Sequence, residues 1–169
     1  MSARPAFDAE MSAVIEQLRS ALVRRRGHDC RLENIVLATL GGSNRTVLFD
    51  LVEGRARRRL VLRQETLPPE VTPFLTPRQQ YPVLCAAWAH GVPVPEPVFA
   101  LEPADALGEG YVVGAIQGET LPKRLLHAPG FATARARLLG QAGAILARLH
   151  AIPVHEVAGL AELPESTDV

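Results

Sequence analysis

Leu40-Gly41-Gly42-Ser43-Asn44-Arg45-Thr46, continuing through Val47-Leu48-Phe49-Asp50-Leu51-Val52 and then Leu60-Val61-Leu62-Arg63, is the stretch on which the fold turns. Apolar, β-prone runs flank a polar glycine pair, and a single cation closes the last run. Gly41 and Gly42 permit backbone angles and a closeness of approach that a side chain forbids. Successive amide N–H groups in such a turn can form a concave anion site suited to phosphate. Arg63, on a strand beside that turn, can reach the same phosphates with its forked guanidinium. In isolation a Gly-Gly-Ser-Asn turn is also ordinary strand-connecting chemistry, and that is its plainer local reading.

Upstream, Met11, Val14, Ile15, Leu18 and Leu22 recur at helical spacing and predict an amphipathic helix from Phe7 to Arg26, stopped by Gly27. Arg24-Arg25-Arg26 read as complements to its dipole. From Arg31 the pattern becomes strand-like: Ile35-Val36-Leu37, then Thr46 to Val52, then Arg59 to Arg63, with Glu53-Gly54-Arg55 as punctuation. Two hairpins in succession make an antiparallel meander. Gln64 to Pro77 contains four prolines and reads as a loop.

Thr76-Pro77 then predicts a helix to about His90, with Val83, Leu84, Ala87 and Trp88 on its buried face. Val92 to Pro97 must be extended, because each proline restricts the residue before it. Val98 to Leu101 and Tyr111 to Ile116 are two further strands, joined by the turn-rich Glu102 to Gly110. A short helix over Thr120 to His127 follows. A long one over Phe131 to His150 comes next, its buried stripe made of Leu138, Leu139, Ala142, Ile145, Leu146 and Leu149. The tail to Val169 shows no period and is expected to be poorly ordered.

Hydrophobic residues make up 47% and charged residues 21% of the 169, which describes a globular chain with a real core. Eighteen basic residues cancel eighteen acidic ones, so nothing favours broad nucleic-acid or membrane-surface binding. Lys123 is the only lysine, and none precedes it to clamp a phosphate. Cys30 and Cys85 stand at no metal-binding spacing and read as small buried thiols in a reducing compartment. With no secretory leader behind Met1 and no apolar run of membrane-spanning length, the expected location is cytoplasmic. A serine hydrolase is excluded, because Gly42-Ser43-Asn44 lacks the second glycine of a nucleophile elbow.

In this order and spacing the glycine turn, Leu60-Val61-Leu62-Arg63, Tyr81-Pro82-Val83-Leu84, Gly91 to Pro97, Gly110-Tyr111-Val112-Val113, Gln117-Gly118-Glu119 and Leu146 to His150 form a set. With it the chain resembles the aminoglycoside/choline-kinase-like phosphotransferase family over about residues 30 to 152. The resemblance implies an α+β, protein-kinase-like N-lobe: a five-stranded antiparallel sheet with one helix, followed by the first helices of a truncated helical C-lobe. On that reading residues 1–28 are an N-terminal helix and 29–117 the nucleotide-binding lobe. Residues 118–169 are the hinge exit, a partial helical lobe and the tail.

The resemblance also implies an ATP site. Gly41, Gly42, Ser43 and Asn44 would cover the phosphates, and Arg63 falls where the family holds the α/β-phosphates with a lysine or arginine. Val113, Gly114, Ala115 and Ile116 would be the hinge that presents backbone groups to adenine. Two departures stand out. Gln80 occupies the place of a glutamate that pairs with the strand cation, leaving a neutral hydrogen bond to Arg63 that is weaker by roughly a kcal/mol or two.

None of His28, His90, His127, His150 and His155 is followed two residues later by aspartate. The family's His-x-Asp-x-x-x-x-Asn loop and its later magnesium-binding aspartate are therefore missing, so magnesium expected of a complete enzyme finds no ligands here. The reading is the ATP-binding part of a kinase for a small-molecule hydroxyl acceptor of unknown identity, inactive alone and completed by a missing C-terminal portion. The alternative is a non-catalytic interaction module or gene remnant that dimerises through exposed helical-lobe surface.

Overall fold

Helix α1 (Arg4–Arg26) forms where the apolar spacing calls for it and starts three residues earlier than Phe7. A computed structural model describes residues 4–38, 44–66 and 75–157. The glycine turn's Gly41, Gly42 and Ser43, the centre of the proline-rich loop and the tail beyond Val157 lie outside those residues. The chain divides into two units, Met1–Tyr81 with Glu96–Ala115, and Pro82–Pro95 with Ile116–Val169.

In the first unit β1 (Arg31–Ala38), β2 (Asn44–Glu53), β3 (Ala56–Glu65), β4 (Pro97–Ala100) and β5 (Gly110–Gly114) form one sheet in the order β1-β2-β3-β5-β4. Every neighbouring pair is antiparallel. Together with the helices this is the expected α+β architecture. Alternation with period two sorts the side chains between faces. Val47, Phe49 and Leu51 of β2, Leu60 and Leu62 of β3, and Val112 of β5 point to one side. There they meet Val14, Leu18 and Leu22 of α1 in the core. Each leucine so buried contributes about 1.5–3 kcal/mol of transfer free energy. The β2–β3 hairpin turns at Gly54, whose φ of +59° a side chain would resist.

Several boundaries differ from the sequence reading. Strand β3 runs on through Gln64 and Glu65 instead of entering a loop, because Gln64 pairs with Gly110 and its buried amide donates to the Leu107 carbonyl. Gly110 is required there: a Cβ would lie 2.4 Å from the Arg63 carbonyl oxygen. Strand β5 ends at Gly114, so Ala115 and Ile116 leave the sheet.

The arginines closing α1 do more than complement a dipole. Asp105, buried in a 3-10 turn at Pro103–Asp105, accepts two hydrogen bonds from Arg25 at 2.6 and 2.7 Å and another from Arg24. Arg25 also lies 4.3 Å over the Phe99 ring. Burial pushes the Asp105 carboxyl up, but Arg25, the Glu102 backbone and Arg24 together bring it below its ordinary value. This clamp fastens the β4–β5 connection to α1.

Helix α2 (Pro77–Ala89) begins in the first unit and continues into the second. Gln79 caps it by accepting the Thr76 N–H at 3.0 Å, with Pro77 at the first helical position. Its Trp88, expected in the core, is 48% exposed, and Cys85 is only partly buried. Only Ala87 is fully buried on the face expected to be apolar. The second unit adds α3 (Pro122–His127) and α4 (Ala132–His150). The stripe on α4 exists but is not buried: Leu139 is 86% exposed and no residue of the helix is buried. An apolar groove of about 310 Å³ lies between Val83, Leu149, His150, Ile152, Val154 and Val157. Among the described residues no helix is long and apolar enough to cross a membrane.

Candidate functional site

The sheet face opposite α1 is where the candidate residues gather. Register places Thr46, Arg63 and Tyr111 side by side on β2, β3 and β5, and directly opposed residues share a face. Leu48, Val61 and Val113 form the next row along the same face. Arg63 therefore points away from the α1 core. Its Nε–H is buried and has no hydrogen-bond partner among the described residues. A buried guanidinium donor without an acceptor is costly unless something negative reaches it.

Beside Arg63, the Tyr111 hydroxyl donates to Gln80 Oε1 at 3.1 Å, and the Tyr81 and Tyr111 ring centroids are 5.8 Å apart. Gln80 in turn donates its amide N–H to the Leu75 carbonyl. No hydrogen bond joins Gln80 to Arg63 among the described residues, so the direct contact expected from sequence is replaced by one through tyrosine. Burial pushes the Tyr111 phenol up, and the adjacent Arg63 guanidinium pulls it partway back. Nothing in the sequence alone singled out Tyr111, because only the β3–β5 register places it opposite Arg63.

The segment Val113 to Ile116 divides in two. Val113 is buried in the sheet beside Val61, and the Gly114 N–H already donates to the Glu96 carbonyl at 2.8 Å. The Ala115 N–H is engaged as well, by the Arg59 carbonyl at 3.0 Å. Ile116 is 66% exposed, and among the described residues its N–H has no backbone acceptor. Of the four, it is the amide available to a ligand. Asn44 opens β2 opposite Glu65, on the strand adjacent to Arg63.

A second polar cluster on this face has no such opening. Asp50 accepts from Asn34 at 2.7 Å, Arg57 at 2.8 Å and Arg59 at 3.1 Å, which together hold its carboxyl at about 2. Its acceptors are engaged within the sheet, and it ties β1, β2 and β3 together. Among the described residues no group of histidine, cysteine, aspartate and glutamate has the arrangement of a metal site.

A family model described as the phosphotransferase enzyme family matches residues 34–167. The chain belongs to this family. The match takes in most of β1, the other four strands, α2 and both later helices, so the phosphotransferase assignment reaches into both units. No curated protein and no solved structure gives a significant match. In the phosphotransferase, then, Arg63 is the cation on the face of the third strand turned away from α1, and a neutral Gln80–Tyr111 pair stands beside it.

Proposed function

We propose that this chain holds ATP on the sheet face carrying Arg63 and contributes that part of a kinase acting on a small-molecule hydroxyl acceptor. The observation that carries the reading is the Arg63 Nε–H, buried yet lacking an acceptor among the described residues, on the face away from the α1 core. A phosphate oxygen is the kind of partner it fits, in charge and in fork geometry. ATP supplies the transferable γ-phosphoryl group. Arg63 would bind its α/β-phosphates and Asn44, with Gly41 to Ser43 before it, would close over them. Val61 and Val113 would offer apolar contact to the adenine ring.

Phosphoryl transfer depends on positioning and on neutralising a polyanion. With no His-x-Asp-x-x-x-x-Asn sequence in the chain, the residues that orient the acceptor and hold magnesium are not supplied by it. The expected behaviour is nucleotide binding without turnover, in the cytoplasm. Hydrogen–deuterium exchange with and without ATP tests the placement. Protection is expected in residues 60–65 and 110–116, leaving α1 unchanged. Protection confined to other segments would remove the basis for the site.

A second reading is favoured by α4, where Leu138, Leu139 and Leu146 are 41%, 86% and 51% exposed. Such a face suits contact with another protein surface, including a second copy of the chain. Sedimentation at low concentration separates the two: a clean monomer that binds no apolar dye rules out the docking module.

A further inference from the structure

We propose that Tyr111 is a positioning residue for Arg63, a neutral stand-in for the carboxylate that would otherwise aim the strand cation at phosphate. This rests on the nucleotide reading above and goes one residue deeper. Gln80 is held in one orientation because its amide N–H is engaged by the Leu75 carbonyl, which leaves Oε1 as the acceptor toward the sheet. Tyr111 fills that acceptor with its single proton at 3.1 Å. With that proton engaged, the phenolic oxygen keeps only acceptor capacity toward Arg63, the residue paired with Tyr111 across the β3–β5 register. A carboxylate at this place would neutralise the guanidinium, whereas a phenol orients it and leaves its charge for the ligand. The Tyr81 ring, 5.8 Å from that of Tyr111, packs against the same side chain.

The test measures binding of inorganic triphosphate and of adenosine to four proteins: the wild-type chain, Tyr111→Phe, Arg63→Ala and the double variant. Tyr111→Phe keeps the ring packing and removes only the hydroxyl. It is expected to weaken triphosphate binding about five- to tenfold, the size of one ordinary net hydrogen bond's contribution, and to leave adenosine binding unchanged. In the Arg63→Ala background the same change should cost nothing further. A parallel ultraviolet titration in a Tyr81→Phe background, where Tyr111 is the remaining tyrosine, reads the coupling without any ligand. Arg63→Ala should raise the pH at which the phenol ionises.

Unchanged triphosphate affinity in Tyr111→Phe, or a penalty that adds fully to that of Arg63→Ala, overturns the proposal. A phenol titration indifferent to Arg63 does the same. If the wild-type chain binds no triphosphate while the titration still shifts, the nucleotide reading fails, and the pairing of Tyr111 with Arg63 survives it.

Discussion

Helices α1 and α4 carry the same kind of apolar stripe, and the molecule treats them differently. Leu18 and Leu22 of α1 are each 1% exposed against the sheet, whereas Leu139 of α4 is 86% exposed. Spacing alone gives both helices a wet side and a dry side. What it does not give is the surface that makes the dry side dry. For α1 that surface is the alternation of Val47, Phe49, Leu51, Leu60 and Leu62, written in the same chain. The comparison teaches that an amphipathic pattern is a statement about a partner as much as about a helix.

Truncation of the two stripes should separate them most sharply. Leu18→Ala is expected to destabilise the chain by about 3 kcal/mol, through lost transfer free energy and a cavity that the sheet cannot fill. Urea unfolding measures it, and a cost near zero would mean that α1 is not seated on the sheet as described. Next in size is Asp105→Ala, which leaves Arg25 without its buried partner and frees the β4–β5 connection from α1. A loss of about 2 kcal/mol is expected by the same method.

A smaller effect appears with pH. Asp50 titrates at about 2 in the folded chain, below its ordinary value of 3.8. Its extra stability is therefore present in full above about pH 4 and is lost as pH falls toward about 2. Urea midpoints across that window should drop in the wild-type chain and drop less steeply in Asp50→Asn. Equal slopes would deny the Asn34–Arg57–Arg59 network its role. Smallest of all is Leu139→Ala, expected to change stability by about 0.5 kcal/mol or less in the monomer. A cost comparable to that of Leu18→Ala would show that α4 is covered after all.

Much of the fold was legible because period-two and helical patterns are local. The β2–β3 hairpin, the five strands and the helix starts at Pro77 and near Phe131 follow from the residues themselves. The ends of strands were less legible, since Gln64 continues β3 only because Gly110 and the Leu107 carbonyl wait for it in distant sequence. Asp105 sat in a turn-rich run with nothing to announce that Arg24 and Arg25 would close on it. Trp88 and the α4 leucines were read as core from apolarity at helical spacing, and what covers them is not encoded in that spacing.

At the candidate site, Arg63's direction followed from strand alternation. Tyr111's place beside Arg63 needed the β3–β5 register, and the hinge amides were sorted only by the neighbouring carbonyls of Arg59 and Glu96.

Calorimetric titration of ATP into the wild-type chain and into Arg63→Ala tests the central claim most directly. The account predicts measurable binding that falls about tenfold or more when the guanidinium is removed, as expected for a lost bidentate contact to phosphate. Equal affinity in the two proteins would contradict it.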